Sequence, residues 1–154
     1  MPKPILCIVI QNSINIIVAL KFKTVTVANG LKTTIAKKTE LESLEKYLYE
    51  NNLMNNSLIL YGDIPALSYI FDMKPAIYTT WADLDSKDME RLQADLDKIT
   101  DNYPVIIFGT KSVENIDKNS FCYEKLLAIR SFMDKNKYKQ VYTSDSYQVY
   151  TNNV

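Results

Sequence analysis

The chain has 154 residues, of which 47% are apolar and 23% charged, and it contains no histidine and only three glycines. That length and balance fit one folded α/β domain over residues 1–154 and argue against disorder. Imidazole acid–base catalysis, Ser-His and Cys-His dyads and His-ligated metal sites are excluded, and the three glycines, Gly30, Gly62 and Gly109, stand too far apart to write a GxGxxG turn or a Walker P-loop.

Formal charge is zero overall but polarised. The first forty residues carry six lysines against Glu40 alone, a net of +5, and the other 114 carry 12 basic against 17 acidic residues, a net of −5. A basic end suits anionic lipid headgroups, and equally a solvated lysine-rich face. No dense Lys/Arg cluster with interleaved aromatics is present, so no nucleic-acid partner is expected. Cys7 and Cys122 form no CxxC motif; each reads as a small buried hydrophobe, and their spacing does not decide whether they are bridged.

In chain order, the apolar stretch Ile5 to Leu20 is short and broken by Gln11, Asn12, Ser13 and Asn15, so it falls below the roughly 20 apolar residues of a membrane span. Its β-branched residues predict one or two strands. A strand over Lys21 to Val27 and a turn at Gly30 follow. Thr39, with Glu42 three residues on, predicts a capping box opening a helix that carries Leu41, Leu44 and Leu48 on one face. Ser57 to Tyr61 (SLILY) reads as a strand buried on both faces. Asp63 and Pro65 then open a short helix over Ala66 to Phe71. After an extended piece at Pro75 to Thr79, Asp85 and Ser86 are N-cap candidates for a helix with Met89, Leu92, Leu96 and Ile99 at helical spacing. Pro104 to Phe108 (PVIIF) repeats the buried-strand pattern, and Phe121 to Lys135 reads as a helix with Tyr123, Leu126, Leu127, Arg130 and Met133 on neighbouring positions. Tyr138 to Thr143 and Tyr147 to Thr151 form a terminal hairpin on the sheet edge, its tyrosines serving cross-strand packing or an interaction surface.

Strands alternating with helices predict right-handed crossovers and a three-layer α/β sandwich. Its sheet would be mostly parallel and Rossmann- or flavodoxin-like, with a C-terminal antiparallel hairpin. Ligands of such sheets sit beyond the carboxyl ends of the strands, which selects Gly62-Asp63, Thr80 to Asp85 and Gly109 to Ser112. There, Asp83-Leu84-Asp85 has the Asp-x-Asp form that can bridge a divalent metal to a diphosphate, while Asp85 also suits a helix cap. Trp81 offers a face for a sugar ring or a core side chain. Asp63, with Tyr61 and Tyr69, offers recognition or capping at the same edge.

The runs Tyr61-Gly62-Asp63-Ile64-Pro65-Ala66-Leu67-Ser68-Tyr69, Pro75-Ala76 and Thr80-Trp81-Ala82-Asp83-Leu84-Asp85-Ser86 resemble the soluble C-terminal domain of bacterial multi-span glycosyltransferases, the dolichyl-phosphate-mannose-protein mannosyltransferase-like membrane proteins. The resemblance covers about Phe22 to Tyr150 and includes Tyr103-Pro104-Val105-Ile106-Ile107 and the closing hairpin. It implies a monomeric, non-catalytic accessory domain outside the cytoplasm, without cofactor, whose residues 1–20 form a membrane-proximal strand segment. Its partners would be the membrane-embedded part of a parent protein and a glycan or lipid-linked sugar, met through Tyr61, Asp63, Tyr69, Trp81, Asp83 and Asp85. The membrane part would hold the catalytic acid and take sugar from a polyprenyl-phosphate donor. The alternatives are a stand-alone transferase in which Asp83 and Asp85 hold Mn²⁺ or Mg²⁺ with a nucleotide sugar, and a flavodoxin-like module binding a flavin or phosphate.

Overall fold

A computed structural model describes residues 17–19, 30, 32–84 and 88–152. The expected strand over Lys21 to Val27, most of the apolar stretch before it, Cys7, Asp85 and Ser86 lie outside the described residues. The first described element, β1 (Ile17–Ala19), pairs antiparallel with β2 (Lys32–Thr34), and Gly30 takes φ 91° at the expected turn.

Helix α1 (Ile35–Glu50) is capped five residues before the expected position, at Thr34 instead of Thr39. Thr34, still extended at the end of β2, accepts the Lys37 amide at 3.2 Å. Thr39 lies one turn inside, where its hydroxyl donates to the Ile35 carbonyl at 3.0 Å. Both threonines are competent caps, and Thr34 serves because the strand delivers it in the extended conformation an N-cap needs. Leu41, Leu44 and Leu48 are buried as the spacing requires.

Strand β3 (Leu58–Tyr61) is followed by α2 (Leu67–Ile70), α3 (Met89–Lys98), β4 (Val105–Gly109), α4 (Thr110–Glu114), α5 (Phe121–Lys135), β5 (Lys139–Thr143) and β6 (Tyr147–Thr151). The chain enters α3 at Asp88, whose carboxylate accepts the Glu90 amide at 2.8 Å, so Asp88 holds the capping position foreseen for Asp85 or Ser86. No side chain caps α2, so Asp63 does not serve there. On α5 the inward positions are Lys125, Leu126, Ile129, Phe132 and Met133, while Leu127 and Arg130 face outward.

The main sheet is open and four-stranded, in the order β3-β4-β6-β5. It is not mostly parallel: β3 pairs parallel with β4, but β6 pairs antiparallel with both β4 and β5. The crossovers explain this. The connection through α3 lays β4 parallel beside β3, and the connection through α5 brings β5 back in the same direction as β4. The tight turn then folds β6 into the gap between them, and a two-strand hairpin can only be antiparallel. The hairpin is where the sequence puts it, but β5 alone is the edge and β6 is internal. On the outer side of β3, Leu58 forms one parallel bridge with Pro75, and the Ala76 amide donates to the Leu58 carbonyl at 2.9 Å.

Strand alternation divides the core in two. Leu58, Leu60, Val105, Ile107, Tyr147 and Val149 pack with the apolar faces of α1 and α2. Ile59, Tyr61, Ile106 and Phe108 pack with Leu92 and Leu96 of α3 and with Leu126, Ile129 and Phe132 of α5. The C-terminal tyrosines belong to this packing. The Tyr142 ring packs tilted against Tyr47 at 4.9 Å, Tyr150 likewise against Phe108 at 5.2 Å, and the Tyr138 hydroxyl donates to the Pro104 carbonyl at 2.8 Å. No described helix is long and apolar enough to cross a membrane.

Candidate functional site

At the carboxyl end of β3 the chain reverses at Gly62, with φ 103°. A Cβ there would lie 2.8 Å from both Cβ and Oγ of Ser112 and 3.3 Å from the Gly109 Cα. The turn therefore needs glycine twice over, for its left-handed backbone and for the approach of α4. The Gly62 amide donates to Asp83 Oδ1 at 2.8 Å, and the Asp63 amide to Ser112 Oγ at 3.3 Å.

The segment 80–84 crosses this edge and is fastened to α5. Ala82 is buried in the core beneath it. The Cys122 thiol donates to the Asp83 carbonyl at 3.1 Å, and the Lys125 ammonium to the Leu84 carbonyl at 2.6 Å. The Tyr61 hydroxyl closes the group by donating to the Cys122 carbonyl at 2.7 Å. Lys125 is completely buried, which is rare for lysine without a partner. Burial raises the Asp83 carboxyl above its ordinary range; the Gly62 amide, its own amide and the Lys125 charge oppose that shift, and nearby Asp63 adds to it. Burial also pushes the Tyr61 phenol well above its usual range, with Asp83 reinforcing the effect.

Of the residues selected from sequence, Asp63 and Asp83 do meet at one sheet edge. Tyr61 and Tyr69 do not join them as a recognition surface: Tyr61 points into the core toward α5, while Tyr69 sits on α2, on the other side of the sheet, and is 62% exposed. Alternation along β3 sends Tyr61 to the face opposite Leu60, which separates the two rings. Trp81 is half-buried, with its amide on Thr79 Oγ1 at 3.0 Å. Asp85 lies outside the described residues. Among the described residues, no group of three or more His, Cys, Asp or Glu side chains could hold a metal ion.

Ser112 closes the Gly109 to Ser112 segment selected from sequence, but the roles of Cys122 and Lys125 were not foreseen. Lys125 did leave a trace, since it stands four, seven and eight residues before Ile129, Phe132 and Met133, on the inward stripe of α5. Chemically, the group is a brace. Asp83, Cys122 and Lys125 each direct a side-chain polar atom to a backbone partner on another segment, joining the end of β3, the segment 80–84 and α5. Comparison with protein-family models, curated proteins and solved structures yields no match to this chain.

Proposed function

We propose that this chain is a non-catalytic, extracytoplasmic accessory domain of a polytopic membrane glycosyltransferase that uses a polyprenyl-phosphate sugar donor, and that it helps position the acceptor. The observation that carries the proposal is the brace at the carboxyl edge. Where an α/β enzyme of this kind would keep its reactive groups open to substrate, Asp83, Cys122 and Lys125 are committed to backbone partners. Further support is the resemblance of the runs around Tyr61 to Tyr69 and Thr80 to Asp85 to that family. In this arrangement α1 with α2 and α3 with α5 are the outer layers of a three-layer sandwich. Asp63 supplies a hydrogen-bond acceptor at the rim and Trp81 an apolar surface.

The test is transfer activity of the parent protein carrying Asp63→Asn and Trp81→Ala together. A raised KM for acceptor with kcat kept is expected; unchanged kinetics would remove the positioning role. The competing metal-dependent transferase has less support, because Asp83 Oδ1 already accepts the Gly62 amide. Titration calorimetry of the chain with UDP-sugars and Mn²⁺ separates the two: no metal-dependent heat is expected, and such heat would favour the transferase.

A further inference from the structure

A second feature at the same end of the sheet lies on the α1 and α2 face and shares with the brace only the turn at Gly62 and Asp63. It is a cavity of about 290 Å³ between β2, α1, the turn after β3 and α2. Its floor is made by Leu41, Leu67, Ile70 and the ring of Tyr147, residues that are 8% exposed or less. Nothing in that floor calls for water, so an apolar body of side-chain size gains by covering it.

Charge at the rim is divided by sign. Lys32 and Lys37 stand on the β2 and α1 side, and Asp63 stands on the turn opposite. Lys37 is held in place: its ammonium lies 4.5 Å above the Tyr147 ring and 3.5 Å from Glu40 Oε2, and that carboxylate accepts the Ser146 hydroxyl at 2.6 Å. Asp63 is placed by the Gly62 turn and by its amide on Ser112. Two cations and one carboxylate line the opening, with the lysines at one end and Asp63 at the other, and Glu40 behind Lys37 brings the local sum to zero. A simple anion would meet Asp63, and an uncharged apolar molecule would desolvate three charges without compensation. A ligand matching both floor and rim has an apolar body, a carboxylate toward Lys32 and Lys37, and an ammonium toward Asp63.

We propose that this cavity binds a free hydrophobic α-amino acid of leucine size as its zwitterion. The inference does not rest on the glycosyltransferase proposal.

The experiment is a two-dimensional amide NMR titration of the full chain at neutral pH with four probes: L-leucine, leucinamide, 4-methylpentanoate and L-alanine. Saturable shifts from L-leucine are expected at Lys37, Asp63, Leu67 and Tyr147. Loss of the carboxylate in leucinamide, of the ammonium in 4-methylpentanoate, or of the apolar body in alanine each weakens binding by about tenfold, the scale of one charge-assisted hydrogen bond or one buried side chain. The exposed Asp63→Asn variant is expected to lower leucine affinity and, with the repelling carboxylate gone, to raise that of 4-methylpentanoate, so that the two converge. Shifts that do not saturate or that map elsewhere would overturn the proposal. Equal binding of 4-methylpentanoate and leucine would make the cavity an anion site and overturn it as well. The probe series on the unaltered chain decides the matter even if the variant is perturbed.

Discussion

The Asp83 carboxylate accepts the Gly62 amide at 2.8 Å across 21 residues of sequence, and this bond fixes the segment 80–84 over the carboxyl end of β3. It couples a position where any side chain is strained to the desolvated carboxylate of this edge.

Gly62→Ala is expected to destabilise the fold by about 1–3 kcal/mol, because a Cβ is disfavoured at φ 103° and would press on Ser112. Chemical denaturation measures the loss. Adding Ser112→Gly should restore part of it by removing the contact while leaving the backbone strain. No rescue would mean that the clash is relieved elsewhere.

Asp83 gives stability a pH dependence of definite sign. Its folded-state carboxyl titrates above the ordinary 3.8, so the folded chain binds that proton more tightly than the unfolded chain does. The stability of the natural chain relative to Asp83→Asn should therefore decline as pH rises from 3.8 through the raised folded-state value, and then level off. Paired urea melts of the two proteins across acidic pH test this. A difference that grows with pH would mean that Lys125 and the Gly62 amide more than offset burial. Asp83→Ala, which leaves the Gly62 amide without its acceptor, should cost about 1–3 kcal/mol.

Lys125→Met keeps the volume of the side chain but withdraws a buried charge and the donor to the Leu84 carbonyl. A loss of about 1–3 kcal/mol is expected for the orphaned carbonyl. Without the ammonium the Asp83 carboxyl should titrate higher still, because Lys125 opposes the effect of burial. Carboxyl-detected NMR titration reads that shift directly. An unmoved Asp83 would show that the two groups are not coupled.

Tyr61 and Tyr138 are both held well above the usual phenol range by burial. In an alkaline titration followed by phenolate absorbance, these two of the 11 tyrosines should ionise only as the chain unfolds. Because the folded state keeps both protons, their contribution to stability is whole below the ordinary phenol value of 10.0 and is lost progressively as pH rises from there toward the raised folded-state values. Tyr61→Phe and Tyr138→Phe should each remove one phenol from the late step. A smooth titration complete before unfolding would contradict this.

Local pattern located most elements. The helix expected over Phe121 to Lys135 and the strands in SLILY and PVIIF are present, because a continuous apolar run between turn residues and a four-residue stripe leave little choice. What failed depended on partners distant in sequence. Sheet direction followed the alternation of strands and helices, but the insertion of β6 between β4 and β5 is a choice of neighbour that no local spacing encodes. Thr34 and Thr39 are equally good caps in isolation, and the strand before Thr34 decided between them. At the edge, the glycine and the acids stood out by type. Cys122 and Lys125 did not, since a cysteine and a lysine on a helix acquire their roles only when the segment 80–84 is laid across them.

The most direct measurement of the accessory-domain proposal is fractionation of the source cells, probed with an antibody against this domain for apparent mass and compartment. The expected result is a membrane-fraction band several times heavier than 17.7 kDa. A band at 17.7 kDa in the soluble fraction would contradict the proposal.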